Sequence, residues 1–285
     1  MACCIASAAL LFICTSETVA APPQRVVSTN LCADEYVFRL VDRGHIAALS
    51  FEAGDRHPVV STIADAVAGI PQIRPSAETV LNYRPDLVVM FAGTLPRLKS
   101  ALDDLHVPVL EIPYDDSLAA IRETTRRLGT ALGARDKAEA LLAQMDGQLA
   151  QARLMAPRPP VRTLIYEPNG YATSGPVTQE LMAFAGLADA APGYAVTRSG
   201  RIPVEEVIAA APELLIYSGQ QTVADARANL VLHHPALAAL DGRTVTAWNP
   251  LIPLLCAGPW SADAAPVFAA LGQKARALAR APGHP

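Results

Sequence analysis

The sequence carries little charge and contains no block of five or more like charges. Of its 285 residues, 18% are charged, and 23 lysines and arginines against 27 aspartates and glutamates leave a formal net charge of -4. The chain therefore offers no polycationic surface for a polyanion, and we expect no nucleic-acid partner. A hydrophobic content of 51% supports a sizeable core and excludes a disordered chain.

Long hydrophobic runs are also missing. The apolar run from Ile5 to Cys14 falls short of the roughly 20 residues that a membrane helix needs. Polar residues and then Val19-Ala20-Ala21 follow it, which resembles a secretory signal, although no lysine or arginine precedes the run. We interpret residues 1–21 as a signal peptide and expect an exported chain with no transmembrane segment after cleavage.

Cysteine is scarce, and most of it lies in the predicted signal peptide. Of five cysteines, only Cys32 and Cys256 would remain after cleavage, in an oxidising compartment where they could form a disulfide or stay as free thiols. No Cys-x-x-Cys or His-Glu-x-x-His spacing occurs, so we expect no dedicated metal site.

Common catalytic motifs are absent as well. The sequence contains no Gly-x-Ser-x-Gly nucleophile turn, no phosphate-binding loop ending in Gly-Lys-Ser or Gly-Lys-Thr, and no Gly-x-Gly-x-x-Gly. The nearest piece, Thr173-Ser-Gly-Pro, lacks the leading glycine. The chain is therefore expected to have no enzymatic activity.

Apolar runs of strand length alternate with helical segments along most of the chain. This pattern predicts an α/β fold with buried, mostly parallel strands. Two consecutive helices interrupt it, and the second, Ala134 to Leu154, repeats apolar residues at helical spacing. Ala156 to Pro160 breaks that helix, and the alternation restarts at Val161.

A short sequence pattern occurs once in each half of the chain. The segment Glu78 to Val89 and the segment Glu205 to Ile216 each open a helix with glutamate, pass through a proline and an acidic residue, and enter an apolar strand. The same order of helix, proline, acidic residue and strand is also common in α/β proteins without an internal repeat. We predict two Rossmann-like lobes, residues 22–133 and 157–285, joined by one long rigid helix at 134–156, with a ligand cleft between them.

Ordered motifs across both lobes resemble the helix-linked periplasmic binding proteins that serve ABC importers of ferric siderophores and cobalamin. The motifs are Arg25-Val-Val-Ser-Thr-Asn, Ile46-Ala-Ala-Leu-Ser, Glu78 to Val89, Gly133 to Ala140, Thr173-Ser-Gly, Glu205 to Ile216, His234-Pro-Ala-Leu and Gly258-Pro. The resemblance implies a periplasmic monomer without a cofactor, which carries a large metal-chelate ligand to an ABC transporter permease dimer at the inner membrane.

The resemblance favours a ferric siderophore or related chelate as the ligand, and cobalamin, another cobamide or haem is the alternative. A chelatase-like enzyme with a similar two-lobed fold is a second alternative. The family's docking motif implies that Glu78 and Glu205 contact the permease, with Glu206 as the substitute for Glu205. Both glutamates could instead merely stabilise helix N-termini.

Loops that follow strands supply the candidate ligand contacts. The candidates are Asn30, Cys32, Phe51, Arg74, Gly93, Tyr171, Arg198, Arg201 and Trp248. Their arginines predict a cationic cleft suited to an anionic ferric chelate, unless they are merely solvent-exposed. Haem would require only one or two axial ligands, and Tyr114, Tyr166, Tyr171 or His57 could serve.

The two remaining cysteines and the two tryptophans are also placed near the predicted cleft. Cys32 and Cys256 lie in loops on its two sides, so an interlobe disulfide would form if their Cα atoms lie within about 7 Å. We expect one tryptophan, Trp248 or Trp260, to stack on the ligand and the other to pack in the core.

Overall fold

The structure is a computed structural model that describes residues 21–56, 60–219, 227–249 and 251–280. The predicted signal peptide, apart from Ala21, and the candidate haem ligand His57 lie outside the described residues.

The N-terminal lobe is built on a parallel five-stranded sheet. Its strands are β1 (Val26–Ser28), β2 (Ile46–Ser50), β3 (Gln72–Ile73), β4 (Leu87–Phe91) and β5 (Val109–Ile112). The spatial order is β3-β2-β1-β4-β5, and all four pairings are parallel. Val27 and Val88 are fully buried, as expected for strands that are covered by helices on both faces.

Four of the described helices belong to this half of the chain. They are α1 (Leu31–Leu40), α2 (Ala77–Asn82), α3 (Pro96–Asp104) and α4 (Leu118–Ala131). Asn30 begins α1, where its side-chain oxygen accepts a hydrogen bond from the Ala33 backbone N–H at 2.9 Å. Ser76 caps α2 in a reciprocal capping box with Thr79.

The C-terminal lobe contains a six-stranded, mostly parallel sheet. Its strands are β6 (Val161–Glu167), β7 (Tyr171–Thr173), β8 (Leu187–Asp189), β9 (Ser199–Arg201), β10 (Leu214–Tyr217) and β11 (Val245–Trp248). The main order is β11-β10-β6-β7-β9, with β8 also paired to β6. Only the pairings made by β7 are antiparallel among those described. The predicted fold of two mostly parallel α/β lobes is confirmed.

A helical hairpin connects the lobes. After α4, helix α5 runs from Arg135 to Met155, within the predicted range of 134–156. The residues near the turn, Leu128, Leu132 and Ala138, belong to the N-terminal core, whereas Leu118 and Leu149 belong to the C-terminal core. Both α4 and α5 therefore span the two lobes, so the connection is a helix pair and not α5 alone.

The remaining helices belong to the second half of the chain. They are α6 (Pro176–Phe184), α7 (Val204–Ala210), α8 (Ile252–Leu255) and α9 (Ala264–Ala279). Phe268 of α9 is fully buried in the C-terminal core. Among the residues that the structure describes, no helix is both long enough and apolar enough to span a membrane.

Trp260 joins the C-terminal part of the chain to the N-terminal core. It lies between α8 and α9, yet its indole packs edge-on against Tyr36 of α1 at a centroid distance of 4.8 Å. The Arg39 guanidinium lies 4.4 Å from the same indole ring. The indole N–H donates to the Cys256 carbonyl at 2.9 Å. Trp260 is thus the tryptophan of the core.

Candidate ligand-binding site

A cavity of about 270 Å³ opens where the carboxyl ends of the N-terminal strands approach the segment around α8. Phe91 and Ile112, which end β4 and β5, line it together with Cys32 at the start of α1. Ligands of open parallel sheets bind at this edge. The cavity is therefore the candidate ligand site.

The cavity has apolar walls on two sides. The apolar lining residues are Phe91, Ile112, Pro113, Tyr114 and Ile121 on one side and Leu254, Leu255 and Ala257 on the other. Tyr114 is 71% exposed and Leu255 is 54% exposed, although large apolar side chains usually avoid water. Tyr114 packs edge-on against Phe91 at 5.3 Å. A ligand that covers these side chains would gain hydrophobic stabilisation.

Three charged side chains line the cavity: Asp115, Asp116 and Arg198. The Arg198 guanidinium forms an ion pair with the Asp116 carboxylate at 3.1 Å. The Ser117 backbone N–H donates to Asp115 at 3.0 Å and lowers the pKa of that carboxyl. The prediction of a cationic cleft does not match this lining, because two carboxylates accompany one guanidinium.

A disulfide lies at the cavity. Cys32 and Cys256 are bonded, with their Cα atoms 5.0 Å apart and 224 residues between them in sequence. Cys32 is itself a lining residue. The bond joins the first turn of α1 in the N-terminal lobe to the segment that follows α8, so it links the two sides of the cavity.

Of the nine predicted ligand contacts, only Cys32 and Arg198 line the cavity; the other seven, although all are described, do not. Asn30 is engaged as the helix cap of α1. The Arg74 guanidinium lies 4.0 Å from the Phe51 ring, and that of Arg201 lies 5.1 Å from the Tyr171 ring.

The last two of these seven residues are Gly93 and Trp248, which have other structural roles. Gly93 has a positive φ of 76° in the loop after β4, which suits glycine. Trp248 packs in the C-terminal lobe, 4.9 Å from the Tyr217 ring and 5.0 Å from the His233 ring. Neither observation brings these residues to the cavity.

Sequence reasoning missed Asp116 and gave Tyr114 only as a possible haem ligand. Both lie in the loop directly after β5, and the strand-end rule that nominated Phe51 and Gly93 would also have nominated them. Leu254 and Leu255 also follow a strand, β11, and belong to the segment from Trp248 to Trp260 ahead of the last helix.

A buried aspartate, Asp34, connects α1 to the ends of β1 and β2. Asp34 in α1 accepts hydrogen bonds from the Ser50 backbone N–H at 2.8 Å and the Ser50 hydroxyl at 2.5 Å, and from the Ser28 hydroxyl. Ser28 and Ser50 end β1 and β2. Burial raises the pKa of Asp34 to about 7, although these hydrogen bonds oppose the shift.

The two predicted docking glutamates are both exposed. Glu78 lies in the first turn of α2 and Glu205 in the first turn of α7. Each helix is followed by a proline, Pro85 or Pro212, and then by β4 or β10. The two lobes thus present related helices, each with a solvated carboxylate.

No group of three or more His, Cys, Asp or Glu side chains within the described ranges is arranged to hold a metal ion. The cavity itself carries oxygen donors from Tyr114, Asp115 and Asp116, and it is lined mainly by apolar groups.

Comparison with protein families identifies the chain. Residues 44–243 match the profile of the family described as "Periplasmic binding protein". The chain belongs to the periplasmic binding protein family. None of the curated proteins matches this sequence.

Solved structures of periplasmic binding proteins share the fold. The apo form of the periplasmic heme-binding protein RhuT from Roseiflexus sp. RS-1 is 25% identical, with a TM-score of 0.68, and the match covers 88% of this chain and 98% of that chain. The periplasmic heme-binding protein HutB of Vibrio cholerae is 18% identical, with a TM-score of 0.68, and the match covers 90% and 99% of the two chains.

The periplasmic vitamin B12 binding protein BtuF of Vibrio cholerae is also similar. It is 18% identical to this chain, with a TM-score of 0.63, over 90% of this chain and 98% of that chain. These periplasmic binding proteins are named for binding and not for catalysis.

Proposed function

We propose that the chain is the periplasmic carrier of an ABC importer for a large iron chelate, and that it acts as a monomer. The observation that carries the proposal is the cavity at the strand ends between the lobes, where apolar side chains accompany three charged ones, Asp115, Asp116 and Arg198. Binding sites for small molecules have this composition: mostly apolar walls with a few polar groups that fix orientation.

Within this class, the cavity favours haem over a hydrophilic ferric siderophore. Each Å² of apolar surface that Tyr114, Leu254 and Leu255 lose to a ligand contributes about 25 cal/mol. A hydrophilic chelate would place part of its polar surface against these apolar side chains, where its polar groups lack partners, which is costly. The names of the RhuT and HutB structures support the same choice, and that of BtuF keeps a corrinoid as the alternative.

Tyr114 is our candidate for the iron-contacting side chain. Of the tyrosines proposed from sequence, Tyr166 is buried and its hydroxyl donates to the Ile202 carbonyl at 2.9 Å. Tyr171 lies beside Arg201 and outside the cavity lining. Tyr114 lines the cavity and is exposed, and a phenolate oxygen is a known axial ligand of haem iron.

Delivery to the permease is assigned to Glu78 and Glu205. Two exposed carboxylates on related helices of the two lobes suit a pair of cationic sites on a two-fold related permease dimer. Such charge pairing steers the encounter and fixes orientation more than it adds affinity.

The proposal is tested by equilibrium titration of the purified chain with ferric haem, cobalamin and a panel of ferric siderophores. We expect saturable binding of one ferric haem, with the ligand recovered unchanged. Tyr114→Phe should alter the absorption spectrum of the bound ferric haem, because the phenol oxygen is lost while the ring remains.

Three results would go against the proposal. Saturable binding of a siderophore with no binding of haem would return the ligand to the first expectation from the sequence. Formation of product with turnover would favour the chelatase-like alternative. An unchanged haem spectrum in Tyr114→Phe would remove Tyr114 as the iron ligand.

A further inference from the structure

An ion pair crosses the cavity between segments of the two lobes. Asp116 lies in the loop from β5 to α4, and Arg198 precedes β9. Their side chains meet at 3.1 Å, where Arg198 is 50% exposed and Asp116 is 20% exposed. Among the lining residues that the structure describes, Arg198 is the one basic side chain.

The Asp116 carboxylate lies close to the start of α6. A Cβ atom placed on Gly175 would lie 3.3 Å from the Asp116 carboxylate, so the absence of a side chain at Gly175 lets the carboxylate approach the start of α6. The same loop is joined to α6 where the Leu118 backbone N–H donates to Glu180 at 3.3 Å. The loop that carries Asp116 is therefore tied to α6 by a contact that does not involve Arg198.

The pair is weakly held. One Asp116 carboxylate oxygen is buried and accepts no hydrogen bond from any described residue, although it lies near the Arg198 guanidinium. Arg198 is half-exposed, and ion pairs with exposed partners contribute little to stability. A ligand anion can therefore compete with Asp116 for the guanidinium.

We infer that Asp116 is a specificity-determining residue. Without ligand its carboxylate pairs with Arg198, and only a ligand with an anionic group at that position displaces it from the guanidinium. The inference rests on the proposed function, since it concerns the same cavity. A ligand carboxylate can take the guanidinium in a bidentate pair. A neutral ligand gains nothing from Arg198, and an anionic group placed elsewhere meets the repulsion of Asp115 and Asp116.

The test compares ferric haem, which carries two carboxylates, with its dimethyl ester, which carries none. Asp116→Asn removes the competing charge and should tighten the binding of ferric haem by about threefold to fivefold, while binding of the ester stays unchanged. The matched control is Asp146→Asn, which removes the same charge from an exposed ion pair with Arg122 and should change neither affinity.

Arg198→Gln provides the second arm. It should weaken the binding of ferric haem by about tenfold, leave that of the ester unchanged, and abolish the gain from Asp116→Asn in the double variant. If Asp116→Asn lowers the melting temperature, Asp116→Ser replaces it as the variant that lacks the competing charge.

The outcomes separate the two claims. Equal tightening of the ester by Asp116→Asn, or a haem affinity no different from that of Asp146→Asn, overturns the inference while leaving the proposed function intact. If the wild-type chain binds neither porphyrin, the proposed haem ligand is wrong and the inference fails with it.

Discussion

Two aspartates of the N-terminal lobe, Asp34 and Asp116, have different surroundings. Asp34 is fully buried and accepts three hydrogen bonds from the ends of β1 and β2. Asp116 lies at the cavity edge and faces a half-exposed arginine. Burial opposes ionisation of Asp34, so this residue couples the stability of the strand ends to pH.

Asp34→Asn should remove a pH dependence of stability. The pKa of Asp34 is raised from 3.8 to about 7 in the folded chain, so between these values the folded state binds a proton that the unfolded state does not. The free energy of unfolding should therefore fall as pH rises from about 4 to about 7, by at most about 1.4 kcal/mol per pH unit from this group.

Urea unfolding of wild type and Asp34→Asn at several pH values checks this expectation. The difference in unfolding free energy should shift in favour of the variant as pH rises to about 7 and stay constant above it. A difference that does not vary with pH would show that Asp34 titrates normally.

Single residues were predictable from the sequence where local structure determines their role. Glu78 and Glu205 are exposed in first helical turns because position in a helix follows from local pattern. Arg74 and Arg201 stay predicted ligand contacts, and the structure adds that each guanidinium lies beside an aromatic ring. The contacts of a long side chain depend on the tertiary fold, and sequence spacing alone does not predict them.

At the scale of elements, α2 and α7 are the related pair on which the docking proposal depends. Each is short, begins with an acidic first turn and ends ahead of a proline and a buried strand. The first-turn carboxylates interact favourably with the helix dipole, but this stabilisation alone does not require them in both lobes.

Glu78→Arg and Glu205→Arg should each abolish uptake by cells that carry the cognate importer. Ligand affinity should stay within about threefold of wild type, equivalent to about 0.7 kcal/mol, because neither glutamate lines the cavity. Uptake assays paired with binding titrations check both expectations.

Two further variants serve as controls for docking. Glu123→Arg reverses an exposed charge on α4 and should leave uptake unchanged. Glu206→Arg tests the neighbouring acid. Normal uptake by Glu205→Arg together with lost uptake by Glu206→Arg would move the docking role to Glu206, and normal uptake by Glu78→Arg would contradict the docking proposal for the first lobe.

The sequence pattern predicted most of the helices and strands, but it did not predict which of them pack together. The alternation of apolar runs and helical segments predicted parallel sheets, and the periodic residues of α5 predicted its length. The role of α4 in both lobes was missed. Its apolar face is visible in the sequence, whereas the division of that face between two cores depends on the angle at which the helices cross.

At the scale of the whole molecule, three of the connections seen among the described residues restrict the lobes most. The α4–α5 hairpin contributes residues to both cores, Trp260 returns from the C-terminal part to pack on Tyr36, and the disulfide joins Cys32 to Cys256. Movement between the lobes is therefore restricted, and we expect only small closure on ligand binding.

Removing the disulfide should lower stability. The bond closes a loop with a sequence separation of 224 residues, and closing long loops restricts the unfolded chain most. The Cys32→Ser/Cys256→Ser double variant should lose about 2–5 kcal/mol of unfolding free energy, measured by denaturant titration. Chemical reduction of the wild type should give a similar loss, and equal stability of all three forms would contradict the expectation.

The central claim is that the ligand binds in the cavity between the lobes. Its most direct test is a spectrophotometric titration with ferric haem of the wild type, Leu255→Arg and Leu154→Arg. Leu255 lines the cavity, whereas Leu154 is an exposed leucine at the end of α5 and does not. The account predicts saturable one-to-one binding that Leu255→Arg abolishes and Leu154→Arg leaves intact; equal binding by all three proteins would contradict it.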